Sequence, residues 1–415
     1  MIQYFKFVIQ NSRLLIFGFV LMFFSSFGQT FFISLFSEQI RDEFNLTHGN
    51  FGLIYSIATL ASGLTLIWAG QKIDNFDLRK FTFFVFAGLI LALIVFATSP
   101  FSILLYPAIY LTRLFGQGLM THTSMITMTR YFEKNRGKAI SIASLGLPTG
   151  ETIFPILVVL IISSFGWRIT WIICAIILLF ILPITLLILL KNFNKIHSIW
   201  IEKKPLVSSV SKKNELKKEF TRKDVLNDST FYLIIPAIVS PAFIMTGLFF
   251  HQIHIALSKG WSITFLAGTF VLYAISTVTF SILGGILIDK LSAIRIFPLY
   301  LPPLGIAVFF LGTSDHYLIA IPYMVLAGAT IGIGNPMTNA IWAEIYGTKH
   351  IGSIKALVMA SMVSAGALSP FIFGWLIDQN ISVEKIALSC IAYIFLSQII
   401  AQRTLRKQFS EKKTL

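Results

Sequence analysis

The sequence predicts an all-α integral membrane protein of twelve transmembrane helices, arranged as two pseudo-symmetric six-helix halves with the N- and C-termini cytoplasmic. Three observations predict it. The 415 residues are 56% apolar and only 12% charged, with 40 Phe and a mean hydropathy of +0.80, whereas an ordinary soluble domain is about 25% charged. The apolar residues fall in runs long enough to cross a bilayer, and landmark residues recur at one fixed spacing in the two halves. This composition excludes a soluble enzyme and a disordered or fibrous chain. The two cysteines, Cys174 and Cys390, are too few for a disulfide framework or a cysteine metal site.

Crossing the hydrocarbon core takes about 20 apolar residues as helix. Twelve runs meet or approach that length: 14–37, 49–71, 80–98, 101–124, 138–164, 167–190, 229–255, 262–287, 296–313, 316–340, 354–377 and 385–402. Lipid offers the backbone no hydrogen bonds, so such runs are helices or strands of a closed barrel. Barrel strands alternate over about ten residues, and these runs do not. No small-residue cleavage site follows the first run, so it reads as a span rather than a cleavable signal.

Orientation follows from the basic residues. With a cytoplasmic N-terminus, 28 of the 33 Lys and Arg lie on the cytoplasmic side and four (Arg41, Arg168, Lys259 and Lys385) lie outside, leaving Arg113 within the membrane. That asymmetry is the positive-inside pattern, and it accounts for the net charge of +15 without a nucleic-acid partner. Residues 191–228 carry ten Lys or Arg and no apolar run. They read as a basic cytoplasmic linker between an N-terminal half, 1–190, and a C-terminal half, 229–415. Within the linker, Glu215 to Leu226 suits a short helix on an anionic leaflet. Trp167 and Trp171 beside Arg168 are expected in an interfacial aromatic belt. His251 and His254 are expected at the interface too, with too few partners to bind a metal.

The halves repeat. Gly70 and Asp74 recur as Gly285 and Asp289, an offset of 215, and the same offset takes Gly137 to Gly352 and Pro155 to Pro370. A duplicated helical unit around a midplane site suits alternating access.

On these residues the chain resembles the major facilitator superfamily. That family's loop between its second and third helices reads Gly-x-x-x-Asp-(Arg/Lys)-x-Gly-x-(Arg/Lys)-(Arg/Lys). Gly70, Asp74, Arg79 and Lys80 match it, while Asn75 and Asp77 depart from it; the second copy supplies Gly285, Asp289, Lys290 and Arg295. The resemblance implies a gating role for these residues, with Asp74 facing the eleventh helix near Ile354 and Asp289 facing the fifth near Lys138. Carboxylates at helix N-termini there would favour closure on the cytoplasmic side. A narrower resemblance, to the monocarboxylate and oxalate branch, rests on Tyr131, Phe132, Lys134, Arg136, Ala139, Ala143 and Gly146. That branch carries a basic residue in its eighth helix, and 262–287 has none. The antiporter glycine motif is matched by Gly137, Gly146 and Gly150, but Glu151 stands where its proline would be.

Two charges lie deep in apolar runs. Intramembrane ionisable residues cost at least about 2.5–3.5 kcal/mol each, so they mark function. Arg113 cannot lose its proton, and its fork can hold a carboxylate bidentately. Tyr110 and Gln117, three residues before and four after, share its face on an α-helix and complete a candidate anion site. The alternative is an internal pair of Arg113 with Glu151. Glu151 is the candidate proton carrier, because burial raises a carboxyl pKa and a nearby cation lowers it. Gln29, Asn335 and Asn339 are further candidate substrate contacts. Pro336 between the asparagines is expected to break its helix, and Pro236 and Pro241 to kink theirs.

The functional expectation is secondary active transport of a small, anionic organic solute by alternating access, coupled to protons. Efflux of amphiphilic compounds, suggested by the many Phe, is the alternative within the same class. A transporter-like receptor or scaffold that moves nothing is the alternative outside it. No phosphate loop is present to use ATP, and no cofactor, metal or enzymatic activity is expected. The expected partners are substrate, protons and the lipid bilayer, with the chain acting as a monomer in a cell membrane of the bacterial inner type.

Overall fold

The computed structural model describes residues 7–74, 76–132, 135–191, 193 and 220–411. The side chains of Gln71, Asp74 and residues 408–411 also fall outside the described set, as do Asn75, Lys134 and most of the expected linker. The described residues are mostly helical, with short turns and loops between helices and no strand among them. Among the described residues nine helices are long and apolar enough to cross a membrane, or ten if the bent pair Ser12–Gly28 and Thr30–Phe44 is one span. The twelve expected runs do not each correspond to one such helix. The runs at 138–164 and 167–190 lie in a single 54-residue stretch, Arg136–Leu189, broken at Gly166, whose φ of 79° only glycine adopts freely. The run at 101–124 is divided among the α-helices Leu105–Thr112 and Thr121–Tyr131 and a π-helix, Arg113–Met120. Large side chains such as Leu64, Trp68, Leu91, Phe180, Ile282 and Phe395 are exposed, as a lipid-facing surface requires.

The chain divides into two compact units, Met1–Ile33 with Ala61–Leu216, and Ser34–Leu60 with Lys217–Leu415. The helix His48–Gln71 begins in the second unit and ends in the first.

In the first unit, small residues let helices approach where no side chain intervenes. A Cβ on Gly146 would stand 2.3 Å from the Phe19 carbonyl oxygen, and one on Gly150 would overlap the Ser26 hydroxyl. Aromatic rings fill the rest. Phe27, Phe32, Phe154 and Trp171 interlock at centroid separations of 4.8–5.9 Å, and Phe96 stacks on Trp171 at 4.5 Å. Trp167 and Trp171 are both buried in this packing. Arg168 stacks over Trp167 at 4.4 Å and donates to the Ala97 and Ser99 carbonyls. It thereby closes the C-terminal end of Leu78–Thr98, where carbonyls lack helical partners.

In the second unit, Ile263–Leu291 packs against Ala320–Tyr346. Gly328 and Gly332, four residues apart, bring the backbones together: Cβ atoms there would lie 2.5 Å from the Tyr273 oxygen and 2.6 Å from the Thr277 oxygen. The Ser34–Leu60 segment is held by its own contacts. Asp378 accepts from the His48 and Gly49 amides at 3.0 and 2.8 Å, capping His48–Gln71. Phe51 and Tyr55 pack on Phe250, and Gln252 donates to Ser34. His251 is buried, with its Nε2 2.9 Å from the Pro370 oxygen, and His254 packs against His48. These histidines pack against their neighbours in the second unit. Lys259, its side chain fully buried, bridges Asp315 at 2.7 Å and Glu384 at 3.0 Å.

The helices Ser229–Phe250 and Ala320–Tyr346 run through Pro236, Pro241 and Pro336 without a break. Side chains occupy the carbonyls nearby: Ser240 and Tyr393 donate to the Pro236 oxygen, and the Asn339 amide donates to the Asn335 oxygen.

Candidate functional site

The candidate site is built around a break in the first span. Ser12–Phe24 gives way to a 3-10 turn, Ser25–Gly28, and Gln29 is extended (φ −82°, ψ 155°) before helix resumes at Thr30. An extended residue inside a span leaves backbone groups outside the helical ladder, which membrane proteins tolerate where protein or a cavity satisfies them. Here Arg113 does so. It is buried and donates from one guanidinium nitrogen to the Gly28 carbonyl at 2.9 Å, with the Thr30 hydroxyl 3.5 Å away.

The approach depends on glycine. A Cβ on Gly28 would lie 2.4 Å from the Gln117 nitrogen and 2.5 Å from the Thr112 oxygen, and one on Gly116 would lie 2.8 Å from the Gly28 backbone. Arg113 itself begins the π-helix, a form that recurs at functional positions. The wider turn also alters the face expected for Gln117. Tyr110 turns to the Thr65 hydroxyl at 2.9 Å, Arg113 turns to the break, and Gln117 is half-buried. Tyr110 and Arg113 thus have different hydrogen-bond partners.

The helix bearing Glu151 approaches the same break. Gly150 lies against Ser26, whose buried hydroxyl has no hydrogen-bond partner. Glu151 is half-buried and makes no hydrogen bond or ion pair among the described residues, so the internal pair with Arg113 is absent. Ser26, Gly28 and Gly116 were not singled out by sequence; the Gly-x-x-x-Gly spacing of 146 and 150 was the available signal on the facing helix.

A model of the Major Facilitator Superfamily matches residues 18–370 and, in an overlapping match, 242–403. The chain belongs to the major facilitator superfamily. It is accordingly a multi-pass membrane protein of a transporter family. Among solved structures it is similar to a bacterial homologue of the human lysosomal transporter Spinster, in an inward-facing and unoccupied conformation. The identity is 15%, the TM-score 0.67, and the alignment covers 95% of this chain and 97% of that one. That likeness speaks for the fold. No curated protein matches the chain significantly.

The superfamily loop residues have different fates in the two copies. Gly70 sits against His122, whose Nε2 is 3.0 Å from the Gly70 oxygen. Arg79 holds the Leu190 carbonyl through Nε at 3.0 Å. Asp77, one of the two departures from the superfamily pattern, caps the helix Leu78–Thr98 by accepting from the Arg79 and Lys80 amides at 2.9 and 3.2 Å. The Lys80 side chain is exposed. In the second copy Gly285 faces open space, and Asp289, Lys290 and Arg295 are exposed. Asp289 has no hydrogen bond or ion pair among the described residues. Gly137 and Gly352 both occupy the second position of a helix with nothing within 4 Å of where a Cβ would stand, as their common offset suggests. In the second unit Asn335 and Asn339 are both exposed, and the Lys355 ammonium donates to Asn339 at 3.2 Å. Among the described residues no cluster of His, Cys, Asp or Glu is arranged to hold a metal ion.

Proposed function

We propose that the chain is a secondary active transporter that carries a small, anionic organic solute by alternating access in symport with protons. The reading includes twelve spans, with 136–189 counted as two on either side of Gly166 and 105–131 as one interrupted by its π-helix. It also includes cytoplasmic termini, on the strength of the basic-residue asymmetry, and a monomer in a bacterial inner membrane. The observation that carries it is Glu151, an acidic side chain deep in an apolar helix, beside the broken first span and without an ionic partner. A carboxyl so placed can bind and release a proton as its surroundings change. Arg113 supplies the fixed positive charge at the same break, which favours an anion there. The buried aromatic cluster of Phe27, Phe32, Phe154 and Trp171 is packed core, so the abundance of Phe does not favour the amphiphile-efflux alternative.

The test uses protein reconstituted in vesicles, with carboxylates chosen by a thermal-shift screen. Glu151→Gln should retain counterflow and lose accumulation driven by an imposed pH gradient. Accumulation that still follows the gradient would refute the proton role. Arg113→Lys should weaken substrate binding by about tenfold to a hundredfold, since lysine keeps the charge and loses the planar fork. Unchanged affinity in folded protein would remove Arg113 from the substrate site.

A further inference from the structure

A second site lies in the second unit. Ile294, Arg295, Phe297, Pro298, Gln402, Leu405 and Arg406 line a half-open cavity of about 350 Å³. Its polar side chains are two guanidinium forks, which only donate, and a carboxamide, which can donate through its NH2. Neither arginine side chain nor the Gln402 amide has a hydrogen-bond or ion-pair partner among the described residues. Among the described residues no carboxylate lines the cavity. Glu344 is already committed, accepting from the Ala293 and Ile294 amides at 2.7 and 3.2 Å, and so fixes the segment from which Arg295 projects. Gln398 fastens the other wall by donating to the Phe297 carbonyl at 3.0 Å.

Two like charges facing one cavity repel each other and favour an anion between them. Arginine forks match phosphate oxygens, two donors to two acceptors. The position supplies the rest of the chemistry. Arg295 lies in the first turns of the span Ala293–Thr313, and Arg406 is the penultimate residue of the span Val383–Lys407. Both therefore sit where a helix leaves the hydrocarbon core, at the depth of lipid headgroups. Ile294, Phe297, Pro298 and Leu405 give the cavity an apolar wall suited to the glycerol and first acyl carbons. The volume lies near the lower end of small-molecule sites, enough for a headgroup but not for a whole lipid.

We propose that this cavity binds the phosphate of an anionic glycerophospholipid, with Arg295 and Arg406 as the phosphate ligands and Gln402 as a further donor. Basic pockets between spans take anionic headgroups in this way. The site is independent of the transported solute.

The experiment is calorimetric titration of the purified full chain, in a non-ionic detergent, with short-chain phosphatidylglycerol. Parallel arms use short-chain phosphatidylcholine, glycerol 3-phosphate and inorganic phosphate. Phosphatidylglycerol should bind, and phosphatidylcholine should bind at least about tenfold more weakly, as expected if the net charge decides. Arg295→Ala/Arg406→Ala should weaken phosphatidylglycerol binding by about tenfold to a hundredfold. Arg295→Lys/Arg406→Lys retains charge and folding if the alanine pair does not fold, and should still lose affinity because the forks are gone. Equal binding of the two lipids, or phosphatidylglycerol affinity unchanged in the folded lysine variant, would overturn the site. Glycerol 3-phosphate or inorganic phosphate binding as tightly as the lipid, with the same arginine dependence, would overturn the lipid assignment in favour of a soluble phosphate. None of these readouts uses transport, so they stand apart from the vesicle assay for Glu151 and Arg113.

Discussion

Replacing Gly28 by alanine should destabilise the protein far more than the same change at Gly137. At Gly28 the new methyl would stand 2.4 Å from the Gln117 nitrogen and 2.5 Å from the Thr112 oxygen. Ordinary contact is about 3.5–4.0 Å, so the broken first span and the Arg113 π-helix must part by about 1 Å. The opposing atoms are backbone, and no rotamer change relieves them. Overpacking of this kind costs about 1–3 kcal/mol. The same movement draws the Gly28 carbonyl away from Arg113, now at 2.9 Å, and a hydrogen bond to a charged group contributes about 1.5–3 kcal/mol. The two effects share one contact and do not add fully, which leaves an expected loss of about 2–4 kcal/mol. Gly137 is exposed in the helix Arg136–Ser144 with nothing within 4 Å of a Cβ. Alanine there should gain about 0.5–1 kcal/mol of helix preference. Unfolding of the two purified variants in mixed detergent micelles, followed by tryptophan fluorescence, measures the difference. A Gly28→Ala midpoint equal to the parent's, or a Gly137→Ala variant equally impaired, would refute the close-packing argument.

Two more predictions rest on charges in the second unit. Asp378→Ala removes the acceptor for the His48 and Gly49 amides, costing about 0.5–2 kcal/mol as other N-cap losses do. Asp378→Asn, which keeps an acceptor oxygen, should cost less. Faster hydrogen exchange at those two amides is the signature, and unchanged exchange in Asp378→Ala would exclude the cap. Lys259→Met deletes a buried ammonium whose partners, Asp315 and Glu384, are 73% and 38% exposed. The orphaned carboxylates can turn to water, so the loss should be about 1–3 kcal/mol rather than the 3–5 of a fully buried pair. A variant as stable as the parent would show that the bridge contributes nothing.

Sequence by itself determined the membrane-helical class, because hydropathy is a local property and lipid leaves the backbone no other partners. It also determined the superfamily, through Gly70, Asp74, Arg79 and Lys80 and their second copy, and it marked Arg113 and Glu151, because a charge inside an apolar run is conspicuous whatever surrounds it. Tertiary structure alone decided what those residues touch. Arg113 and Glu151 do not pair, since Arg113 is taken up by a carbonyl that exists as an acceptor only because the first span breaks at Gln29. Tyr110 turns to the Thr65 hydroxyl, and a π-helix replaces the α-helical period assumed for the face of Gln117. Trp171 became core because Phe96 stacks on it, and Pro336 left its helix continuous. Asp77 departs from the superfamily loop, and the fold uses it as a helix cap. Each outcome depends on a neighbour distant in sequence, and a linear pattern carries the demand for a partner without saying which partner meets it.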